Sequence, residues 1–153
     1  MTEQTNELSF DLLLDAPKEK LYRCYTDPKL LQQWFAPKPW TIKSVDIDVR
    51  AGGRFNFVMA SPEGQESPYT GMFLAAEPNK RLVTTDAINE DFKPQGPFMI
   101  AEVTFEDAGN GQTKYRAVAR HWTAEAKEQH KQMGFVEGWT QTARQLEALA
   151  KTI

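Results

Sequence analysis

The chain opens with apolar residues that alternate with polar ones. Leu8, Phe10, Leu12 and Leu14 are separated by mostly polar neighbours, and this two-residue period is typical of a half-buried strand. The same alternation returns from residue 42 onward in a series of short segments. The pattern therefore predicts one strand near the start of the chain and a run of strands through its middle.

Two segments with helical spacing lie between the first strand and the others. Asp15 and Asp27 each precede a proline within two residues, which is typical of an N-cap followed by a proline in the first turn. Apolar residues recur at helical spacing after each of them, until Ala36-Pro37 interrupts the second segment. We therefore expect two short helices with Asp15 and Asp27 as their N-caps.

Six further strands are expected in the middle of the chain. Turn-forming residues interrupt the alternation at Gly52-Gly53, Pro62-Glu63-Gly64, Pro78-Asn79 and Gly109-Asn110-Gly111. The expected strands cover residues 42–49, 55–59, 69–76, 81–87, 99–105 and 113–121. Residues 89–97 hold two prolines, a glycine and three charges, so they are expected to form a longer loop.

The last thirty residues have the period of one long helix. Thr123 is a typical N-cap, and no proline follows it. Trp139, Leu146 and Leu149 fall on one helical stripe. The full order of elements contains no βαβ alternation and no linker, so we predict a single α+β domain over residues 1–153 with an antiparallel sheet.

The same order of elements predicts a cavity. A curved antiparallel sheet of six to seven strands, with a long C-terminal helix across its concave face, cannot close completely around the helix. We expect the two short helices to plug one end of the remaining space. Such pockets are mostly apolar and carry a few placed polar groups.

Composition and charge narrow the class of partner. The 153 residues carry a net charge of -3, with Lys and Arg scattered, so the chain lacks the basic face that nucleic acid or an anionic membrane surface requires. No apolar run reaches the roughly 18 residues of a membrane span, and residues 1–7 are polar and acidic, unlike a signal peptide. Cys24 is the single cysteine, which excludes a disulfide framework and favours a cytoplasmic location.

Large aromatic and methionine side chains stand where they could line the predicted cavity. These candidate ligand-binding residues are Trp34, Phe35, Trp40, Phe57, Met59, Tyr69, Phe98, Met133 and Trp139. For each one alone, an ordinary core position is the alternative interpretation. Trp34, Phe35 and Trp40 cluster around two prolines, so we predict that they form the mouth of the cavity.

Two histidines supply candidate polar groups. His121 ends the last expected strand and His130 lies early in the helix, nine residues later, so the turn between them can bring them together. Strand parity places His121 on the same face as Tyr115, and both are predicted to point inward. A structural or pocket-lining role is favoured over metal binding, which would require a third ligand at recognisable spacing; catalysis by either histidine stays an alternative.

No established catalytic signature is present. The serines lie outside any nucleophile elbow, and no His-Glu-x-x-His or paired-aspartate motif occurs. Cys24 falls on the apolar stripe of the first helix, where a small buried hydrophobe is expected rather than a nucleophile. We therefore expect no cofactor and no metal.

Residues 128–139 read Glu-Gln-His-Lys-Gln-Met-Gly-Phe-Val-Glu-Gly-Trp. Other notable positions are Ala16-Pro17, Asp27-Pro28, Leu31-x-x-Trp34-Phe35, Gly52-Gly53-x-Phe55 and Gly71. Together they resemble the family related to the activator of heat-shock-protein-90 ATPase, within the START-like, polyketide-cyclase-like superfamily. The resemblance covers nearly the whole chain and implies the helix-grip fold of the birch-pollen allergen. In it, Gly138 beside Trp139 is expected to permit close packing.

That superfamily uses one scaffold for lipid carriage, antibiotic self-protection, cyclisation, hydrolysis and co-chaperone work. Our leading hypothesis is a protein that binds a small lipophilic or aromatic molecule between sheet and helix. The alternatives are a cyclase-like or hydrolase-like enzyme on the same scaffold, with a histidine or Tyr115 as acid or base, and a protein-interaction module that modulates a chaperone ATPase. An exposed edge strand in the sheet favours a homodimer.

Overall fold

The computed structural model describes residues 6–96 and 98–153. Residues 1–5, which belong to the segment compared above with a signal peptide, and Pro97 of the predicted loop lie outside the described residues. The elements in the described part are β1 (Glu7–Leu14), α1 (Lys18–Thr26), α2 (Pro28–Leu31), β2 (Thr41–Ile47), β3 (Phe55–Ala60), β4 (Glu66–Tyr69), β5 (Met72–Glu77), β6 (Arg81–Thr85), β7 (Ile100–Gly109), β8 (Gln112–Arg120), α3 (Ala124–Gln132) and α4 (Phe135–Ala150).

The strands form one curved antiparallel surface. Five of them hydrogen-bond in the order β1-β8-β7-β6-β5, and three in the order β2-β3-β4. Backbone hydrogen bonds from Gly52 N to Phe73 O (2.8 Å), Phe73 N to Gly53 O (2.8 Å) and Phe55 N to Gly71 O (3.0 Å) join the two groups. The α+β class and the helix-grip arrangement predicted from the sequence are confirmed.

The strand predicted over residues 69–76 is divided in the structure. Its first part belongs to β4 and pairs with β3, whereas its second part, β5, pairs with β6. The division falls at Gly71, where a Cβ atom would lie 2.4 Å from the backbone oxygen of Thr85. Because only glycine permits this close approach, the strand can bend here and change partners.

The single C-terminal helix predicted from the sequence is wrong, because the structure contains two helices. Gly134 has φ +88°, in the left-handed region, and it separates α3 from α4. A left-handed residue ends helical hydrogen bonding, and glycine adopts that conformation without steric cost. The second of these helices, α4, buries Ala143, Leu146 and Ala150.

Two of the three predicted N-caps are confirmed. The Asp27 side chain accepts a hydrogen bond from Lys29 N (2.9 Å), and Thr123 Oγ1 accepts one from Ala126 N (3.0 Å). The prediction for Asp15 is wrong, because α1 begins after Pro17 without a side-chain cap. Asp15 instead forms an ion pair with Lys151 Nζ (3.2 Å), at the far end of α4.

The core lies between the sheet, α1, α2 and α4. Its fully buried members include Leu14, Leu21, Leu31 and Leu146. Cys24 is also fully buried, and desolvation raises the pKa of its thiol to about 11. The interpretation of Cys24 as a small buried hydrophobe is therefore confirmed, since a thiol with this pKa is almost wholly protonated at neutral pH.

Candidate functional site

A cavity of about 650 Å³ lies between the concave face of the sheet and the helices α3 and α4. This volume falls within the range of small-molecule sites, about 300–1,000 Å³. None of the described residues lining it is an Asp, Glu, Lys or Arg. The lining residues are Tyr25, Trp34, Phe35, Pro37, Trp40, Phe55, Phe57, Met59, Ser67, Pro68, Tyr69, Phe73, Leu82, Thr84, Met99, Ala101, Val103, Tyr115, His130, Met133, Gly134, Phe135, Gly138, Trp139, Thr142 and Ala143.

Ten of the twelve residues singled out from the sequence line this cavity. They are Trp34, Phe35, Trp40, Phe57, Met59, Tyr69, Tyr115, His130, Met133 and Trp139. The other two, Phe98 and His121, lie behind His130, with ring centroids 4.8 and 5.0 Å from its ring. The structure therefore places Phe98 and His121 as supports of the wall, outside the lining itself.

Aromatic rings in mutual contact build the wall formed by β3 and β4. Phe57 and Tyr69 pair across these strands and stack with centroids 4.6 Å apart and planes at 15°. The ring of Phe35 lies 5.3 Å from that of Phe57 in an edge-to-face arrangement. Such contacts fix the rings in place, so the wall presents a stable apolar surface to the cavity.

The mouth of the cavity lies at Trp40, Ser67-Pro68 and Met133. Trp40 is half-buried, Ser67-Pro68 is exposed and Met133 is 67% exposed, although all of them line the cavity. The predicted place of Trp34 in the mouth is wrong, because it is only 2% exposed and its Nε1 donates to the Cys24 carbonyl oxygen (3.0 Å). That indole hydrogen bond holds the ring in the core.

A buried pair of tyrosines supplies one polar point in the lining. The hydroxyls of Tyr25 and Tyr115 are 2.7 Å apart and hydrogen-bonded. Desolvation raises the pKa of both hydroxyls well above the ordinary value, so both tyrosines are neutral at physiological pH. The sequence gave no signal that the Tyr25 hydroxyl meets that of Tyr115, since the two residues are 90 positions apart.

The two histidines supply the second polar point, and the predicted proximity of their side chains is confirmed. His121 Nε2 and His130 Nδ1 are 2.8 Å apart, and His121 Nδ1 is 2.9 Å from the backbone oxygen of Asn6. Burial, followed by the neighbouring His121, lowers the pKa of His130 to about 4, so that ring is neutral at pH 7. Within residues 6–96 and 98–153, no three His, Cys, Asp or Glu side chains converge as a metal site would require.

Two glutamines of α4 hold the loop beside the mouth, and sequence reasoning did not single them out. Gln145 Nε2 donates to the carbonyl oxygens of Trp34 (3.0 Å) and Ala36 (2.7 Å), and its Oε1 accepts from Lys38 N (3.1 Å). Gln141 Nε2 donates to Lys38 O (3.1 Å). Through these bonds, Gln141 and Gln145 position the residues that lead to Trp40. The same loop contains a cis peptide bond between Lys38 and Pro39.

Gly138 is not the close-packing device expected from the sequence. A Cβ atom built on this residue would meet no described atom within 4 Å apart from its chain neighbours and the backbone of its own helix, and Gly138 lines the cavity. The glycine therefore leaves space inside the cavity instead of admitting a neighbouring element.

Residues 15–151 match the family model described as Activator of Hsp90 ATPase homolog 1-like protein. The chain belongs to this family. The match spans every helix and most strands of the helix-grip fold, and the family resemblance drawn from the sequence is confirmed. No curated protein matches the chain.

Solved structures similar to this member of the family come from several bacteria. A protein of Nitrosomonas europaea is 39% identical with a TM-score of 0.91, and the match covers 95% of this chain and 94% of that one. A protein of Mycobacterium smegmatis is 28% identical with a TM-score of 0.78, over 95% and 90% of the two chains. The AHSA1-like protein of Aeromonas hydrophila shares the fold at 21% identity, with a TM-score of 0.72 over 95% and 92%.

Among the described residues, no helix is long and apolar enough to span a bilayer.

Proposed function

We propose that this protein binds a small lipophilic or aromatic molecule in the cavity between the sheet and α4. The observation that carries the proposal is the cavity of about 650 Å³, lined mainly by aromatic and aliphatic side chains. Burying an apolar ligand there removes both its surface and that of the lining from water, at about 25 cal/mol per Å². The part of the lining that the structure describes offers no charged side chain to compensate an ionic ligand, which supports a neutral, largely apolar one.

A thermal-shift screen tests this proposal directly. The purified protein is screened against fatty acids, sterols, flavonoids and aromatic polyketides. A ligand at about 100 times its dissociation constant adds roughly 2.7 kcal/mol, which raises the melting temperature by about 5 to 10 °C for a chain of this size. A shift confined to one chemical class would identify that class, and analysis of the bound compound for products would then distinguish a carrier from an enzyme.

A cavity-filling variant shows whether a shift comes from this cavity. Gly138→Leu adds a side chain where the structure leaves open space inside the cavity, so it should abolish the shift. Ala148→Leu adds the same side chain at an exposed position of α4 and serves as the matched control. Equal shifts in both variants would place the ligand elsewhere and contradict the proposal.

The family description supports a second candidate function, because it refers to activation of a chaperone ATPase. This alternative predicts that adding the protein changes the ATPase rate of heat-shock protein 90. An unchanged rate together with a ligand-specific thermal shift would favour the small-molecule proposal. A changed rate with no thermal shift across the panel would favour the chaperone alternative.

A further inference from the structure

The hydrogen bonds of the histidine pair fix where its protons lie. The backbone oxygen of Asn6 can only accept, so His121 Nδ1, 2.9 Å away, must carry a proton. In the neutral ring, His121 Nε2 is then an acceptor, and His130 Nδ1, 2.8 Å away, must donate to it. His130 Nε2 is therefore left with a free lone pair.

If the neutral histidine pair takes up one more proton, that proton binds at the same atom, His130 Nε2. Three of the four ring nitrogens are already engaged, one with Asn6 and two with each other. Whether the shared proton sits nearer His121 or nearer His130, the added proton has only His130 Nε2 as its place. While the pair is neutral, a compound that binds beside His130 therefore meets Nε2 as a hydrogen-bond acceptor.

Among residues 6–96 and 98–153, the hydrogen bond of His130 is made by its Nδ1, and none is made by its Nε2. Every fully buried side-chain nitrogen and oxygen in these residues has a partner, so Nε2 keeps surface that solvent or a ligand can reach. The side chain belongs to the lining of the cavity and the residue is only 6% exposed. Phe98, Phe135 and Trp139 surround its ring, with centroids 4.8, 5.0 and 5.8 Å away. An accessible acceptor on a wall of aromatic rings can receive a hydrogen bond from a ligand in the cavity.

We propose that the ligand is an aromatic molecule with a hydroxyl group that donates a hydrogen bond to His130 Nε2. This inference rests on the proposed function and specifies its ligand class. A carboxylate ligand would place its acceptor oxygens against an acceptor nitrogen, and a cationic ligand would find no carboxylate among the described lining residues. A phenolic hydroxyl donates a proton readily, and its ring suits the neighbouring Phe135 and Trp139.

Two probes that differ in one group test the inference. The dissociation constants of 4-hydroxystilbene and 4-methylstilbene are measured for the wild-type protein, His130→Leu and Gln129→Leu. Gln129 is an exposed neighbour on α3 and receives the same substitution as a control. A buried hydrogen bond contributes about 1.4 kcal/mol, or tenfold, so the preference for the hydroxyl probe should fall about tenfold in His130→Leu and stay unchanged in Gln129→Leu.

An equal preference in all three proteins would overturn the inference and leave the proposed function intact. Binding of neither probe to the wild-type protein would overturn the inference, whereas the proposed function would still be decided by the thermal-shift screen. Long-range ¹H–¹⁵N spectra of the unliganded wild-type protein at pH 7 provide a test that needs no substitution. His130 Nε2 should appear without a proton, and a protonated Nε2 would overturn the inference.

Discussion

At the scale of single residues, His130 shows how its surroundings determine its charge. Its ring is enclosed by Phe98, Phe135 and Trp139 and shares a proton with His121. Burial disfavours the charged form of His130, and a positive charge on the neighbouring His121 would repel it. Both effects lower the pKa of His130, to about 4, so its protonation couples to unfolding.

This coupling predicts a loss of stability in mild acid. The unfolded chain takes up a proton at His130 near pH 6.5, whereas the folded protein does so near pH 4. The free energy of unfolding should therefore fall as the pH drops from 6.5 to 4, by about 1 to 2 kcal/mol after discounting for solvent at the mouth. Urea unfolding of the wild type and His130→Leu at pH 7 and pH 4.5 measures this, and parallel losses in both would contradict it.

The tyrosine pair gives a second prediction at this scale. Tyr115→Phe leaves the Tyr25 hydroxyl without its partner in the lining of the cavity, and should lower the free energy of unfolding by about 1 to 2 kcal/mol. Tyr25→Phe should cost a similar amount. The double variant should cost less than the sum by about 1 kcal/mol, because the second substitution removes a group already unpaired. Additive costs in urea unfolding would show that the two hydroxyls act independently.

At the scale of secondary-structure elements, the junction between α3 and α4 depends on one backbone conformation. Gly134 adopts φ +88°, which ends α3 and lets α4 start in a new direction. The same junction carries Met133, one of the residues at the mouth, so the turn positions one edge of the opening.

Two glycine substitutions near this junction should have opposite effects. Gly134→Ala forces an L side chain into the left-handed region and should lower the free energy of unfolding by about 1 to 2 kcal/mol. Gly138→Ala lies within α4 with open space around its Cβ, and should raise it by about 0.5 to 1 kcal/mol, because alanine restricts the unfolded chain. Thermal unfolding of both variants measures the effects, and destabilisation by Gly138→Ala would indicate an unrecognised contact.

Local patterns were enough to predict most elements, but not the places where elements break. The two-residue alternation located the strands, and Asp27 and Thr123 were identified as caps because a cap acts on its nearest neighbours. Gly71 and Gly134 were not recognised as break points. The reason for the first is a steric conflict with Thr85, 14 residues away along the chain, and the second lies in a sequence that otherwise continues as a helix.

At the scale of the whole molecule, the cavity divides the apolar residues into two groups. Leu146 on α4 is fully buried in the core, whereas Trp139 on the same helix is half-buried and faces the cavity. A residue beside empty space makes fewer contacts in the folded protein than one surrounded on all sides. A residue that lines the cavity, such as Trp139, therefore contributes less to the stability of the fold and more to the binding of a ligand.

Trp139→Ala should accordingly cost less stability than its size suggests. Leu146→Ala removes a fully buried side chain and should cost about 2 to 5 kcal/mol. Trp139→Ala removes a larger side chain but should cost only about 1 to 2 kcal/mol, while weakening the binding of an aromatic ligand. Chemical unfolding and ligand titration of the two variants measure both effects. A larger loss of stability in Trp139→Ala would place this ring in the core.

The candidate site could be predicted from the sequence only in part. The fold places large aromatic residues on the concave face of the sheet, and ten of the twelve residues singled out from the sequence are among the 26 described residues that line the cavity. Contacts between residues far apart in sequence left no such signal. These include the bond between Tyr25 and Tyr115 and the bonds from Gln145 to the loop before Trp40.

The hydrogen bonds from Gln141 and Gln145 make the two sides of the cavity mouth differ in how firmly they are held. On one side, the loop before Trp40 is joined to α4 by four hydrogen bonds among the described residues, and on the other side the wall ends at Met133, next to Gly134. An opening between Met133 and Pro68 breaks none of these four bonds, so a bound molecule should leave there. How tightly the molecule is held would depend on the whole lining, whereas how long it stays would depend on that one side.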